Sequence, residues 1–432
     1  MTAPTDAGAG AEDAESVDLT TAGPWWRPRQ VLLRFIADLI EDELFRLRRD
    51  GGRPPMPWPE HLALDQDLGV DSLERMALAT ALAQCLHLHE SGIEDYLLAR
   101  RTLGEWAEIA EAGLSQFSAR LTFQTSGSSG TPKACMHTLA ALQQEIAVLA
   151  GLFSGRRRIL CAVPSHHIYG FLFTILLPRA LGLPPDVVVD VRGSTPAWLA
   201  RKAQTGDLVV GHPDYWQAVA RTVPRLPDDV VGVTSTAPCP DVVCEAVETC
   251  GLGRLFQVYG SSETAGIGWR ASHRDPYKLM PHWTFAAGES MQLVRNLPDE
   301  APHNFDCQDQ LERLGPDTFR VGPRHDDAVQ VGGINVFPSR VAAVIGRHPQ
   351  VEQVAVRLMR HDEGSRLKAY IVARPEVADR TEFVADLRRW IDTQLTAAER
   401  PKAILVGERL PVTASGKLAD WSLDQPDPLQ RH

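Results

Sequence analysis

The segment Thr125-Ser126-Gly127-Ser128-Ser129-Gly130-Thr131-Pro132-Lys133 is the most informative stretch of this 432-residue chain. Its hydroxyls and two glycines let backbone N–H groups converge on an anion, and Lys133 adds positive charge at the end of the turn. A proline rather than a glycine precedes that lysine, so the stretch departs from the GxxxxGK[ST] phosphate loop. A flexible Ser/Gly turn is the plainer reading of the same residues. Downstream, short β-rich runs at 159–163, 187–191, 208–210 and 230–233 alternate with helical stretches such as 139–152. This alternation predicts a layered α/β domain over 119–325.

The flanking segments have a different character. From Pro28 onward, Leu32, Ile36, Leu39, Ile40, Leu44 and Leu47 recur at three- and four-residue intervals, the signature of an amphipathic helix. The pattern breaks at Gly51-Gly52-Arg53-Pro54-Pro55. Further helices are predicted from Asp71-Ser72 to about 86, near 93–98 and over 103–112, giving a four-helix unit with a long first loop over 28–115. Beyond 326, short strands at 354–358 and 369–372 and an amphipathic helix near 383–395 predict a small α+β lid over 326–422. Residues 1–27 read as a disordered tail.

Composition narrows the function classes. With 44% hydrophobic and 23% charged residues the chain suits a globular protein of two or three domains. A formal charge of -11 argues against a phosphate-neutralising nucleic-acid surface. Seven cysteines without a CxxC pair read as reduced structural thiols, and the polar N-terminus lacks an apolar secretion core. Apolar runs such as 171–177 are too short for membrane insertion. These features together predict a cytoplasmic protein.

Four ordered motifs carry a family resemblance. TSGSSGTPK (125–133) resembles the phosphate loop of the adenylate-forming superfamily, which includes acyl-CoA synthetases, aryl-acid ligases, nonribosomal-peptide adenylation domains and luciferases. Tyr259-Gly260-Ser261-Ser262-Glu263-Thr264 is similar to its YGxTE motif. Arg324-His325-Asp326-Asp327, followed by Val331-Gly332-Gly333-Ile334-Asn335-Val336, is similar to its hinge motif. Pro411-Val412-Thr413-Ala414-Ser415-Gly416-Lys417 resembles its C-terminal PxxxSGK motif.

The resemblance implies an enzyme that uses ATP and Mg²⁺ to convert a small carboxylic acid into an acyl-AMP. It assigns the phosphates to 125–131 and Lys133, Mg²⁺ to Glu263, and an α-phosphate contact to Ser262. Tyr259 and Gly260 join the nucleotide site, Arg324 the ribose, and Asp326 the hinge. Lys417 bridges carboxylate and α-phosphate, so Lys417, Glu263 and Lys133 form the expected catalytic set. Phe305-Asp306-Cys307-Gln308-Asp309 stands where the superfamily has a TGD motif, which makes Asp309 the candidate ribose contact and Asp306 the alternative. The acyl pocket is expected from His167, Tyr169, Ser235, Thr236, Ala237, Val258 and Gly260, with Trp216 a weaker candidate. Its bulky residues suit a hydroxybenzoate-like aryl acid. Adjacent residues on a strand point to opposite faces and no third ligand is evident, so His166-His167 does not read as a metal site.

Asp67-Leu68-Gly69-Val70-Asp71-Ser72-Leu73 is similar to the DLGxDSL motif of acyl carrier proteins, which implies a 4'-phosphopantetheine arm on Ser72. A helix N-terminus favours the phosphodiester such an arm carries. Asp71 or Ser72 acting simply as an N-cap is the structural alternative. The leading expectation is therefore an acid–carrier-protein ligase acting on a carrier in cis or in trans. An acyl-CoA ligase using free CoA and a non-catalytic nucleotide- or carrier-binding module are the alternatives. Against the superfamily, an N-terminal subdomain is absent and the interval from Glu263 to Arg324 is short. Core left exposed by these deletions favours a homodimer or partner complex.

Overall fold

The computed structural model describes residues 23–48, 56–125, 133–286, 292–297, 301–324, 328–332, 334–360, 363–364, 366–377, 379–411 and 418–423. The chain opens with helices α1 (Arg29–Arg48), α2 (Ser72–Leu86), α3 (Tyr96–Ala99) and α4 (Leu103–Gln116). A hairpin of β1 (Arg120–Thr125) and β2 (Lys133–Thr138) leads into α5 (Leu139–Leu152). Strands β3 (Arg158–Cys161), β4 (Val188–Asp190), β5 (Asp207–Gly211), β6 (Val231–Thr234) and β7 (Arg254–Ser261) follow. Between them lie α6 (Ile168–Phe171), α7 (Leu177–Ala180), α8 (Pro196–Lys202), α9 (Pro213–Thr222) and α10 (Asp241–Thr249).

Next come β8 (Ala265–Arg270), β9 (Tyr277–Leu279), β10 (Trp283–Phe285), β11 (Gln292–Arg295), β12 (His303–Asp306), β13 (Asp309–Arg313) and β14 (Thr318–Arg324). Among the described residues, nine strands form one sheet in the order β13-β14-β9-β8-β7-β6-β5-β3-β4. Strands β3 to β7 pair in parallel, and β8 turns antiparallel to β7. The buried β5 run Asp207–Gly211 explains why this part reads as continuous apolar strand rather than alternation.

The C-terminal part holds β15 (Val329–Val331), β16 (Ile334–Val336), α11 (Pro338–Ile345), β17 (Val351–Leu358), β18 (Leu367–Ala373), α12 (Arg380–Gln394) and β19 (Ala403–Gly407). Strands β17, β18 and β19 form their own sheet, and α11 and α12 bury Val341, Ile345, Phe383, Leu387 and Ile391 in a separate core. No described helix is long and apolar enough to cross a membrane.

The helical segment 28–115 contains the four helices read from the sequence, but it is not a bundle with its own core. Leu32, Phe35, Ile36, Leu78, Leu82, Trp106 and Leu114 belong to the same continuous core as Phe123, Phe171, Phe173 and Val210 of the α/β region. Phe171 meets Trp25, Phe35 and Phe123 at ring-centroid distances of 5.0, 5.8 and 5.5 Å. Polar groups cross the same boundary. Asp38 is buried on α1 and accepts from the Ser165 N–H at 2.7 Å and the Ser165 hydroxyl at 2.5 Å, with Arg192 Nη2 at 2.6 Å. Arg34 donates to the Thr174 carbonyl at 2.6 Å. A carrier domain needs a polar surface all round, whereas α1 buries Val31, Leu32, Phe35, Ile36, Ala37, Leu39 and Ile40 across most of its circumference.

Ser72 is the first residue of α2 and exposed. Asp71 caps that helix by accepting from the Leu73 and Glu74 N–H groups at 2.8 Å, while Glu74 accepts from the Asp71 N–H at 3.1 Å. The reciprocal pair is a capping box, so the DSLE stretch has a complete structural explanation without a prosthetic arm.

Candidate active site

Pairing of Thr125 with Lys133 closes the β1–β2 hairpin, so residues 126–132 are its loop. Ser126, Gly127, Ser128, Ser129, Gly130 and Thr131 lie outside the described residues, as do Asp326 and Lys417, and the Thr125 side chain is likewise not described. What the fold fixes is the loop's far end. Lys133 Nζ donates to Glu263 Oε1 at 2.9 Å, joining β2 to the β7–β8 turn. Four residues along β2, the His137 ring nitrogen Nε2 lies 2.7 Å from the Ser262 carbonyl. The strand therefore grips the turn at two points, one charged and one neutral.

That turn is built from local chemistry. Ser261 N–H donates to Thr264 Oγ1 at 3.0 Å, and Thr264 N–H donates back to Ser261 Oγ at 3.3 Å. Directly before it, the β7–β8 pairing shifts register between Tyr259 and Gly260. A Cβ on Gly260 would lie 2.0 Å from the Ala265 carbonyl oxygen, so the bulge accepts only glycine.

Charges around Glu263 are ordered. Burial raises the pKa of its carboxyl, but the Lys133 hydrogen bond and charge outweigh this and hold it below the ordinary value. The same contact raises the Lys133 ammonium. Gln308 Nε2 donates to Glu263 Oε1 at 3.2 Å, and Gln308 Oε1 accepts from Arg324 Nη2 at 2.7 Å. Lys133, Glu263, Gln308 and Arg324 thus form one polar chain. Sequence reasoning named the flanking Asp306 and Asp309 but missed Gln308, since no motif residue marks it.

Asp309 pairs with Arg324 across β13 and β14 and accepts from the Tyr259 hydroxyl at 2.8 Å. Tyr259, Asp309 and Arg324 are therefore together at the end of the polar chain. Asp306 instead is exposed on β12 and accepts from Gln292 Nε2 at 2.6 Å.

The expected acyl-pocket residues separate into two groups. Tyr169 is buried, with its hydroxyl 3.0 Å from the Gly211 carbonyl and 3.2 Å from the Val233 carbonyl, so it ties strands together. Trp216 is fully buried, donates to the Val233 carbonyl at 3.2 Å and fills the space above Gly232, where a Cβ would meet its ring at 2.5 Å. Both are packing residues. Ser235 donates to the Val258 carbonyl at 2.9 Å and fixes the end of β6 beside β7. Thr236 follows, exposed and with φ of 76°.

His167 is exposed and stands at the N-terminal boundary of α6 without a side-chain capping bond. The His pair is not on a strand: it sits in the turn ahead of α6, and its rings face one another with centroids 4.0 Å apart. A third group of ligand chemistry does stand nearby, since Asp42 of α1 lies beside the pair. Both grounds for setting this pair aside are therefore corrected.

A buried layer behind the β7–β8 turn also escaped sequence reasoning. Arg295 donates to the Thr264 carbonyl at 2.9 Å and to the Ala141 carbonyl at 2.6 Å. Glu145 on α5 accepts from the Gly266 N–H at 3.0 Å, and burial pushes its carboxyl up to about 7. These residues belong to no motif, and only folding brings them under Glu263. Neither charged residue stood out from ordinary helix and strand sequence.

Relatives place this geometry in context. The family model described as "AMP-binding enzyme" matches residues 75–292, and that described as "AMP-binding enzyme C-terminal domain" matches 340–417. The first match begins inside α2. A 4-coumarate–CoA ligase of Cereibacter sphaeroides is 38% identical over 412 residues, covering 91% of this chain and 96% of that one. A 4-coumarate–CoA ligase of Halorhodospira halophila is 38% identical over 394 residues, covering 90% and 98%. The unmatched tenth of this chain is shorter than the segment 28–115, so both matches include part of the helices. The shortened architecture is also shared, since nearly the whole of each relative is spanned.

The solved structure of an amide bond synthetase from Marinactinospora thermotolerans has the same overall fold, with a TM-score of 0.57 at 18% identity over 89% of this chain and 92% of that one. The matches run through the α/β sheet, the Lys133–Glu263 site and the C-terminal unit, and on that ground the chain belongs to the AMP-binding enzyme family of the adenylate-forming superfamily.

Proposed function

We propose that this chain is an AMP-forming acid–thiol ligase that activates an aryl carboxylic acid of the hydroxycinnamate or hydroxybenzoate class and transfers it to the thiol of free CoA. The Lys133–Glu263 contact between the glycine-rich hairpin and the β7–β8 turn carries the reading. It sets the cation that ends the segment 125–133 against a half-buried carboxylate. Two relatives named as 4-coumarate–CoA ligases, each matched along nearly its whole length, support CoA as the acceptor.

The residues fit Mg·ATP. A carboxylate held ionised beside a lysine offers a hard oxygen donor, so Glu263 would hold Mg²⁺, which supplies positive charge to the polyphosphate. Lys133 would offset charge on the departing pyrophosphate, and Arg324 with Asp309 would hold the ribose. Lys417 would stabilise the α-phosphoryl oxygens as the acid's carboxylate attacks and the bond to pyrophosphate breaks. The CoA thiolate would then displace AMP from the acyl carbon, with Asp326 as the proposed pivot by which Lys417 would give way to the thiol.

The test is acid-dependent ATP–pyrophosphate exchange with 4-coumarate and 4-hydroxybenzoate, followed by thioester formation with CoA. Exchange and CoA-ester formation are the expected result. Exchange without a CoA ester, together with a phosphopantetheine mass on Ser72, would favour the carrier reading, for which the exposed Ser72 is the supporting observation. No exchange with any aryl acid would remove the proposal altogether.

A further inference from the structure

The turn ahead of α6 and the middle of α1 bring Asp42, His166 and His167 together, with one donor atom from each within 4.8 Å of the others. His166 is nearly buried, its side chain 9% exposed, and neither ring nitrogen makes a hydrogen bond among the described residues. Its Nε2 points at Asp42 Oδ2 from 3.6 Å, beyond hydrogen-bond reach. A buried imidazole with both nitrogens unmatched calls for a missing partner such as a water or an ion.

We propose that Asp42, His166 and His167 form a binding site for a divalent transition ion of the zinc type. Two imidazoles and one carboxylate are a donor set such ions take, with a fourth position left to water. Tetrahedral zinc with ligand bonds near 2.0–2.2 Å holds its donors about 3.4 Å apart. The observed 3.6 Å contact needs little adjustment. His167 is exposed, which gives the ion an entry path.

Arg46 stands against the ion, with Nε 3.8 Å from Asp42 Oδ2. It is 40% exposed and also pairs with Glu43, so it can swing aside. The other cluster of this kind, His87, His89 and Glu90, is weaker. His87 Nε2 already lies 2.9 Å from the Thr122 hydroxyl, and its Nδ1 faces Glu90 at 3.3 Å. A bound ion at the first cluster would pin α1 to the turn before α6, a link that does not depend on the proposed ligase activity.

The experiment is titration of the tag-free, chelator-treated full chain with Zn²⁺ against a chromophoric chelator. One ion per chain is expected, weakened at least about tenfold by Asp42→Asn and by His167→Gln, and unchanged by His89→Gln. No stoichiometric binding, binding in both variants equal to that of the unsubstituted chain, or loss only in the His89 variant would overturn the site. Because a variant can misfold, Co²⁺ is also added to the unsubstituted chain. Strong visible bands of a four-coordinate ion support the site, and the weak bands of a six-coordinate ion count against it.

Discussion

Lys133 and Glu263 are 130 positions apart in the chain and meet at 2.9 Å between the β1–β2 hairpin and the β7–β8 turn. The lysine side chain is 58% exposed and the glutamate 25%, so the contact contributes little to folding. Its effect is to aim a charge. The network extends to His137 on β2, Gln308 in the link between β12 and β13, and Arg324 at the end of β14.

Glu263→Gln is expected to lower acid-dependent pyrophosphate exchange by about 10²-fold or more, the scale of losing one preorganised electrostatic contact. Melting temperature should hardly move. A large drop in melting temperature with exchange lost in proportion would show the residue to be structural.

Asp38→Ala leaves the Ser165 N–H and hydroxyl without their buried acceptor, while Arg192 keeps Asp190, and should destabilise the chain by roughly 1–3 kcal/mol. Denaturant unfolding should remain a single loss that includes the sheet, because α1 shares the sheet's core. Removal of residues 1–115 is expected to give no folded protein. A soluble, cooperatively melting 116–432 fragment would defeat the shared-core account.

Gly260→Ala introduces a Cβ 2.0 Å from the Ala265 carbonyl and must reopen the bulge that presents Glu263. Exchange activity should fall at least about tenfold, as expected when a preorganised contact is displaced by an ångström. Gly232→Ala, which collides with the Trp216 ring, should act on stability instead. Comparing the two variants by melting and by exchange separates site geometry from packing.

Glu145 contributes a pH dependence of known sign. Burial raises its carboxyl from the ordinary 4.5 to about 7, so the folded state binds the proton more tightly than the unfolded chain. The resulting stabilisation is complete below about pH 4.5 and is lost as pH rises toward 7, a difference on the order of 3 kcal/mol. Glu145→Gln should flatten that slope when melting is followed from pH 5 to 8. An unchanged slope would show that the carboxyl is ionised throughout.

Much of the fold was legible in the chain because it rests on local pattern. The α2 start at Ser72 and end at Leu86, and the α5 bounds Leu139–Leu152, follow from capping residues and apolar periodicity. Lys133, Glu263 and Arg324 are likewise marked by short motifs, and the fold joins them through Gln308. The carrier reading of 28–115 finds no support in the fold, because DLGVDSL fits two structures locally and here Asp71 caps α2. Periodicity tells a helix which face is apolar but not what will cover it.

The sequence by itself determined most element types and the order of the motifs, which depend on neighbours within a few positions. Only the tertiary structure decided that α1 to α4 complete the α/β core, that Gln308 bridges Glu263 and Arg324, that Arg295 supports the turn from beneath, and that Asp42 stands beside His166. Each of these is a contact between distant segments. Its partner is selected by the burial of apolar surface and the need to satisfy buried polar groups in three dimensions, which no local pattern encodes.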